Sequence, residues 1–343
     1  MAAGTHHPRE ATPERPDAPD PGAAPAPPWT RTDTLLILVV TGVAALVRAG
    51  FALSVWDQAW FQHPLMDAFV YHDWARRIAA GDWLGRGIFN QSPLYPYLLG
   101  MLYAVIGPHP PAVAVLQWVI GALLSGGFYL LGRRLDGRTA GAAAACLAAV
   151  YAPAFFFEGT LLTAALIHVL GVLLLFAAFR AGTRARDWIL PGVLLGLAVL
   201  ARPNAVLLGP VLVLWLFLRF RRRGTPTWLT PSLVLAVTAL LVVAPLTIRN
   251  AVVLGEFIPT VPTGPLNFYL GNVENAADRV LPEGKPGLTT TGFADDFRAA
   301  ARRRLGRDVS YAESGAYWFG RALEEIAARP GRWVRELWRK FQG

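Results

Sequence analysis

The chain alternates between long apolar runs and short polar loops, and this pattern predicts an all-α, polytopic membrane helix bundle. A helix rises 1.5 Å per residue, so about 20 apolar residues cross the hydrocarbon core of a bilayer. Seven runs qualify, of which the fifth is short. They are Thr34–Val55, Ala112–Gly132, Thr139–Phe157, Thr160–Phe179, Trp188–Ala201, Ala205–Phe220 and Trp228–Ile248.

An eighth apolar run, Pro93–Gly107, is shorter and begins and ends at Pro or Gly. If this run does not cross, the three basic loops and the N-terminus all fall on the cytoplasmic side, as the positive-inside rule favours. We therefore predict that it does not cross and that the chain is a multi-pass protein of the plasma (inner) membrane. The basic loops carry Arg133, Arg134 and Arg138; Arg180, Arg184 and Arg186; and Arg219, Arg221, Arg222 and Arg223.

This topology divides the chain into three parts. Residues 1–32 are predicted to be a disordered cytoplasmic tail, because eight prolines lie among the first thirty residues. Residues 33–248 are predicted to form a membrane domain of about seven spans, with a first outer loop at 56–111. Residues 249–343 are predicted to form a second outer loop that contains amphipathic, interfacial helices.

The last part of the sequence carries two helix signals. Ser310 and Glu313 are spaced as a capping box, and the helix that they open should end near Arg329, before Pro330. The segment Arg332–Phe341 then combines aromatic and cationic residues, which is typical of a membrane interface. Since such a segment often precedes another span, we expect the sequence to be an N-terminal portion of a longer protein.

Composition narrows the class of protein. Hydrophobic residues make up 54% of the chain and charged residues 16%, with a mean hydropathy of +0.39. These values exclude a soluble globular enzyme, a disordered protein and a disulfide-rich secreted module. The net charge of +9 does not indicate a nucleic-acid partner, because the arginines cluster in loops between apolar runs. Cys146 is the single cysteine, so no disulfide forms within the chain.

Acidic residues in the first outer loop are candidates for a general base. Asp67 lies shortly after the first span, where a carboxylate is well placed to take a proton from an acceptor hydroxyl. The alternative for it, as for Asp57, Asp73 and Asp82, is a solvated loop carboxylate. Arg48 lies inside the first span, where we expect a carboxylate partner.

Three stretches carry a resemblance to a known family. The run from Asp67 to Pro93-Leu94-Tyr95 resembles the first outer loop of GT-C glycosyltransferases, in the branch of protein O-mannosyltransferases and aminoarabinose transferases (glycosyltransferase family 39). Ala201-Arg202-Pro203-Asn204 is similar to the Arg-Pro turn of that family. The stretch from Thr263 to Asn272 is similar to its Gly-Gly-x-Asn-Phe-Tyr-x-Gly-Asn motif, with Pro265 as a departure.

The resemblance implies transfer of a sugar, with inversion, from a polyprenyl-phosphate donor to an extracytoplasmic protein, lipid or polysaccharide acceptor. It implies that Asp67 acts as base or orients the acceptor. Where the family often has a second charged residue, this chain has Gln91-Ser92, which leaves the second catalytic partner open. Glu158, at another outer turn, either assists Asp67 or is a structural partner of an arginine.

A phosphate leaving group requires cationic or amide donors near the outer face. Arg202 is the first candidate and Arg249 the second, although either could instead anchor its helix at the interface. Further candidates for binding the donor are neutral side chains, some of which are equally typical of turns. These are Tyr71, Asn267, Tyr269 and Asn272.

No metal-ligand spacing is present, so no metal or other cofactor is predicted, although a divalent cation at Asp67 and Glu158 stays open. No glycine-rich phosphate loop indicates a nucleotide-sugar donor. Two rival hypotheses remain. One is a carrier or flippase for a polyprenyl-linked lipid, and the other is a non-catalytic fragment of such a transferase.

Overall fold

The computed structural model describes residues 28–221, 227–280 and 292–342, and in these ranges the chain is helical without strands. The predicted all-α helix bundle is thereby confirmed. In chain order the helices are α1 (Arg31–Val55), α2 (Ala59–Gln62), α3 (Met66–Ala79), α4 (Leu94–Ile106), α5 (Pro110–Val150), α6 (Ala152–Glu158), α7 (Thr163–Arg180), α8 (Ile189–Ala201), α9 (Leu208–Phe220), α10 (Leu229–Leu254), α11 (Thr263–Asn272), α12 (Ala276–Val280), α13 (Phe293–Leu305), α14 (Tyr311–Ala328) and α15 (Pro330–Gln342).

Five helical segments of the described chain are long and apolar enough to cross a membrane. Shorter apolar helices accompany them, including the 13-residue α8, which corresponds to the short fifth run. Short 3₁₀ turns at Ala185–Trp188 and Pro203–Leu207 lead into α8 and α9. The five long segments are Arg31–Val55, Pro110–Val150, Thr163–Arg180, Pro203–Phe220 and Leu229–Leu254.

The 41-residue α5 is a hairpin of two helices that meet at a break. Asp136 and Gly137 leave the helical conformation there, and Gly137 has φ +75°. The two halves approach so closely that a Cβ on Gly132 or Gly141 would lie 2.7 Å from a backbone oxygen of the other half. Glycine is therefore required at Gly137, where the chain reverses direction, and at Gly132 and Gly141, where the two halves touch.

Helix α1 runs antiparallel to the first half of α5, which fixes the two ends of the bundle. Asp33 accepts a hydrogen bond from Tyr129 at one end, whereas Val55 packs with Ala114 and Trp118 at the other. The segment 56–109 consequently begins and ends at the same end of the bundle, called here the loop end. The opposite end is called the basic end.

A buried carboxylate organises the basic end. Asp33 is inaccessible to solvent and accepts bonds from the hydroxyl of Tyr129 at 2.6 Å, Nε of Arg133 at 2.8 Å and Nε of Arg138 at 3.1 Å. Thr30 caps the start of α1 in a capping box with the same Asp33. Arg133 and Arg138, which are interpreted from the sequence as determinants of membrane topology, are thus also partners in an ion-pair network with Asp33.

The described parts of the three basic loops lie together at this end. Arg134 donates to the carbonyl oxygen of Phe179, and Arg219 donates to that of Ala181. Arg222 and Arg223 of the third loop lie outside the described residues. Most of the predicted tail, residues 1–27, also lies outside them, whereas Arg31 and Thr32 already belong to α1.

Two helix boundaries differ from those predicted. The third apolar run does not continue to Phe157 as one helix, because α5 ends at Val150 and a separate helix, α6, begins with Pro153 in its first turn. Proline lacks the N–H that a continuing helix would use. Helix α10 runs past Ile248 to Leu254, so that Arg249 is helical.

Helices α11 to α15 form a C-terminal helical unit (residues 263–280 and 292–342). Its core contains Tyr269, Phe297 and the fully buried Trp318. The predicted capping box is confirmed, because Ser310 accepts from the Glu313 N–H and the Glu313 carboxylate accepts from the Ser310 N–H. Helix α14 ends at Ala328, next to the predicted Arg329.

A buried ion pair ties α1 to the turn after α6. Arg48 and Glu158 are 2% and 3% exposed and form two parallel bonds, from Nε to Oε2 at 2.6 Å and from Nη2 to Oε1 at 3.0 Å. The expected carboxylate partner of Arg48 is therefore found. Gly121 makes room for the pair, since a Cβ there would lie 2.2 Å from the carboxyl group of Glu158.

Glu158→Ala is expected to lower the free energy of unfolding by about 3–5 kcal/mol, because it leaves Arg48 unpaired inside the bundle. Thermal unfolding of the purified chain in detergent micelles, followed by near-UV circular dichroism, measures the change. The double variant Arg48→Leu with Glu158→Leu should recover most of the loss, since no charge remains buried.

The matched control is Asp73→Ala. Asp73 pairs with Arg77 at 3.4 Å on the exposed side of α3, where an ion pair contributes about 0.3–0.5 kcal/mol. Equal losses in Glu158→Ala and in this control would contradict the importance of the buried pair.

Candidate active site at the loop end

Asp67 lies in the first turn of α3, beside a cavity at the loop end. The cavity has a volume of about 300 Å³ and is bounded by residues 60–61, 64–68, 156 and 159–162. Met66, the preceding residue, has φ +52°, in the left-handed region that an L-residue enters only at a cost of about 1–3 kcal/mol. This strained turn starts α3 with the Asp67 side chain half-buried at the wall of the cavity.

The Asp67 carboxylate is bonded to a side chain from the following loop. Gln91 Nε2 donates to Asp67 Oδ1 at 3.2 Å, and Tyr71 donates its hydroxyl to Gln91 Oε1 at 3.4 Å. Helix α3 and the loop that follows it therefore meet at this carboxylate.

Burial raises the pKa values of both Asp67 and Tyr71. Partial removal from water raises the pKa of the Asp67 carboxyl group, because the charged form loses solvation. Burial, together with the nearby Asp67 charge, raises the pKa of Tyr71 to about 12. Tyr71 consequently stays protonated and acts as a hydrogen-bond donor at neutral pH, whereas Asp67 is a stronger base than an exposed aspartate.

Arg202 brings a positive charge to the same end of the bundle. It follows α8 in extended backbone (φ −154°, ψ 109°), and Pro203 prevents that helix from continuing. Its side chain is exposed, and its charge lowers the pKa of the Tyr71 hydroxyl, so these two groups lie within electrostatic range of each other. Within residues 28–221, 227–280 and 292–342, its guanidinium has no ion pair or side-chain hydrogen bond.

Glu158 occupies a different environment. Its carboxylate is held by Arg48 and lies against Gly121, so the structure favours the second of the two alternatives for this residue, a structural partner of an arginine. The backbone still contributes to the site, because Gln117 Nε2 donates to the carbonyl oxygens of Glu158 and Thr160. A direct role in catalysis remains a prediction without support from this geometry.

Arg249 is engaged by the loop that follows α3. Its guanidinium donates to the carbonyl oxygens of Leu84 and Gly87, and to the side chain of Asn250. It also stacks on the ring of Phe89, with 3.7 Å between the guanidinium carbon and the ring centroid. In this state its donors secure the loop that carries Gln91, and phosphate binding by Arg249 remains a prediction.

The remaining candidates lie in α11 of the C-terminal helical unit. Tyr269 is buried against Trp318 and bonds to Arg279. Asn272 accepts from Trp333 and donates to a backbone carbonyl of its own helix, so it joins α11 to α15. Asn267 is exposed. The structure thus brings together Asp67, Tyr71 and Arg202, and not these three.

The sequence alone missed Gln91 as a part of the site. Gln91 stood out only as a neutral residue where the family often carries a charge, and in the structure it donates a hydrogen bond to Asp67. Among the described residues, no group of three His, Cys, Asp or Glu side chains is arranged to hold a metal ion.

Comparison with known proteins adds independent information. The family model for dolichyl-phosphate-mannose-protein mannosyltransferases matches residues 90–248, a segment that includes Gln91, Thr163 and Arg202. No curated protein and no solved structure gives a match. Over residues 90–248 the chain is therefore similar to the dolichyl-phosphate-mannose-protein mannosyltransferase family, and the resemblance to GT-C membrane glycosyltransferases predicted from the sequence is confirmed.

Proposed function

We propose that this chain transfers a sugar from a polyprenyl-phosphate donor to a hydroxyl group of an acceptor, with Asp67 as general base and Arg202 as a ligand of the carrier phosphate. The observation that carries the proposal is the half-buried Asp67 carboxylate beside the loop-end cavity, with Arg202 within electrostatic range of the neighbouring Tyr71, in a chain whose residues 90–248 match a mannosyltransferase family. The name of that family makes mannose the first sugar to test and protein hydroxyls the first acceptors.

The chemistry requires two groups of opposite charge. The acceptor oxygen attacks the anomeric carbon from the face opposite the phosphate, which inverts the configuration. Its proton passes to the Asp67 carboxylate, and the bond between the anomeric carbon and the phosphate oxygen breaks with its electron pair on the phosphate. Arg202 stabilises the charge that develops on this leaving group.

The proposed orientation places the loop end outside the cytoplasm. Its support is the gathering of the described basic loops at the opposite end, since cytoplasmic loops are rich in arginine and lysine. In a plasma or inner membrane the N-terminus is then cytoplasmic. The acceptor and the head group of the donor meet at the outer surface, beside the cavity next to Asp67.

Asp67→Asn is expected to reduce sugar transfer by about 10²–10⁴-fold, the usual contribution of a general base. The assay is release of free polyprenyl phosphate from a labelled polyprenyl-phosphate mannose by the full chain in lipid nanodiscs, with membrane protein as acceptor. Asp73→Asn, one and a half helical turns further along α3, is the matched control. Equal rates in both variants would overturn the assignment, and movement of intact donor without phosphate release would indicate a carrier.

Arg202→Ala is expected to lower kcat/KM for the lipid-linked donor by about 10–100-fold, because a bond between a cation and a phosphate is lost. Arg202→Lys should retain part of the activity, since it keeps the charge without the planar guanidinium. Arg77→Ala, an exposed position on α3, serves as the control. Donor dependence that matches the wild type in Arg202→Ala would remove this residue from the site.

The pH dependence of kcat/KM should report the ionisation of Asp67. Only the carboxylate accepts a proton, and burial raises the pKa of this group, so activity should fall as the pH drops through a value above about 3.9, the ordinary aspartate value. A profile of initial rates between pH 4 and pH 8 measures the midpoint. An acidic limb at or below the ordinary value would contradict the environment described for Asp67.

A further inference from the structure

We propose that Gln91 is a positioning residue, which holds the Asp67 carboxylate at the end of a directed chain of hydrogen bonds that starts at Tyr71. The proposal deepens the proposed function, because it rests on Asp67 acting as the base. It assigns a role to the neutral residue at the position where a charged partner was expected.

The chain has one direction throughout. A carboxylate only accepts hydrogen bonds, so the amide nitrogen of Gln91 must face Asp67, as it does at 3.2 Å. The amide oxygen is then left to accept the proton of Tyr71 at 3.4 Å. Each member donates toward Asp67, and such aligned bonds polarise one another.

The members of this chain come from rigid parts of the structure. Tyr71 is 4% exposed and packs edge-on against Tyr95, with 5.5 Å between ring centroids. Tyr95 in turn donates its hydroxyl to Gln117 Oε1 at 2.9 Å, and Gln117 Nε2 donates to the carbonyl oxygens of Glu158 and Thr160. The elements that position the amide of Gln91 are therefore themselves fixed by packing and by buried hydrogen bonds.

The C-terminal helical unit contributes from the other side. Asn90, the residue next to Gln91, accepts a hydrogen bond at Oδ1 from the backbone N–H of Ala294 in α13, at 2.8 Å. Arg249 holds the same loop by stacking on the ring of Phe89, which lies two residues before Gln91. The position of Gln91 consequently depends on contacts that residues distant in the sequence make with its loop.

Because few charged groups surround Asp67, a neutral hydrogen-bond donor has a large effect on the ionisation of its carboxyl group. Tyr71 lies on the same helix, and Arg202 faces the Tyr71 hydroxyl from the turn after α8. The other residues described around the cavity are apolar or neutral, and α4, packed against α3, carries no charged side chain. On α3 itself, His72 bonds to Tyr103 and Asp73 pairs with Arg77. An amide stabilises the carboxylate without adding a second cation.

The test uses the full chain in lipid nanodiscs and the variants Gln91→Leu and Tyr71→Phe. Asp67 is titrated without turnover by its reaction with a carbodiimide, which modifies the protonated carboxyl group and is quantified by mass spectrometry. Gln91→Leu should raise the midpoint by about one pH unit, because the charged form loses a donor, and should lower kcat about tenfold with KM for the donor changed less than twofold. Tyr71→Phe should shift the midpoint in the same direction by a smaller amount.

Gln62→Leu is the matched control, since it removes another side-chain amide of the first loop, which bonds to the carbonyl oxygen of Trp56. A midpoint in Gln91→Leu and Tyr71→Phe equal to that of this control overturns the hydrogen-bond chain, whatever the activities. Transfer that survives Asp67→Asn overturns the proposed function instead. The titration still decides the positioning role in that case, because it needs no turnover.

Discussion

The arrangement at the loop end depends on one buried ion pair, between Arg48 of α1 and Glu158 at the end of α6. Two charges inside a membrane bundle are tolerated only when each satisfies the other, and the two parallel bonds of this pair do so. Because Glu158 immediately precedes the residues that bound the cavity beside Asp67, the pair fixes that side of the cavity relative to the first span. The contact between Arg48 and Glu158 requires glycine at position 121, because a larger side chain there would occupy the space of the Glu158 carboxyl group.

Around this fixed turn, the site combines a carboxylate that is reluctant to ionise with an arginine that has no anionic partner among the described residues. Asp67 and Arg202 come from different elements and form no ion pair with each other. In the proposed reaction they serve different substrates, the carboxylate the acceptor and the arginine the leaving group. Arg249, whose donors are used by backbone carbonyls, shows the opposite case of a buried arginine with a structural task.

Much of the fold could be predicted, because helix formation in membranes follows from local composition. The apolar runs became helices, and the capping box of Ser310 and Glu313 formed as expected, since its bonds involve residues three positions apart. The likeness of three short stretches predicted the resemblance that the family model supports over residues 90–248.

Contacts between residues that are distant in the sequence could not be predicted from local composition. The local sequence around Glu158 does not show whether this residue assists catalysis or pairs with Arg48. The two residues are 110 positions apart in the sequence, and only the packing of the bundle brings them together. The same holds for Gln91, whose partner Asp67 lies 24 residues earlier, and for Arg249, which lies 165 residues from Leu84. The end of α6 and the extension of α10 depend equally on neighbours rather than on hydropathy.

The separation of Arg48 from Glu158 also has a consequence for biogenesis. During synthesis, Arg48 enters the membrane while its partner, 110 residues later, has not yet been made. At roughly 5–20 residues per second, the charge waits about 5–20 seconds for neutralisation. Until then Arg48 lies unpaired inside the first span, where an arginine at the centre of a helix costs about 2.5–3.5 kcal/mol. The apolar side chains of the first span must offset this cost until Glu158 arrives.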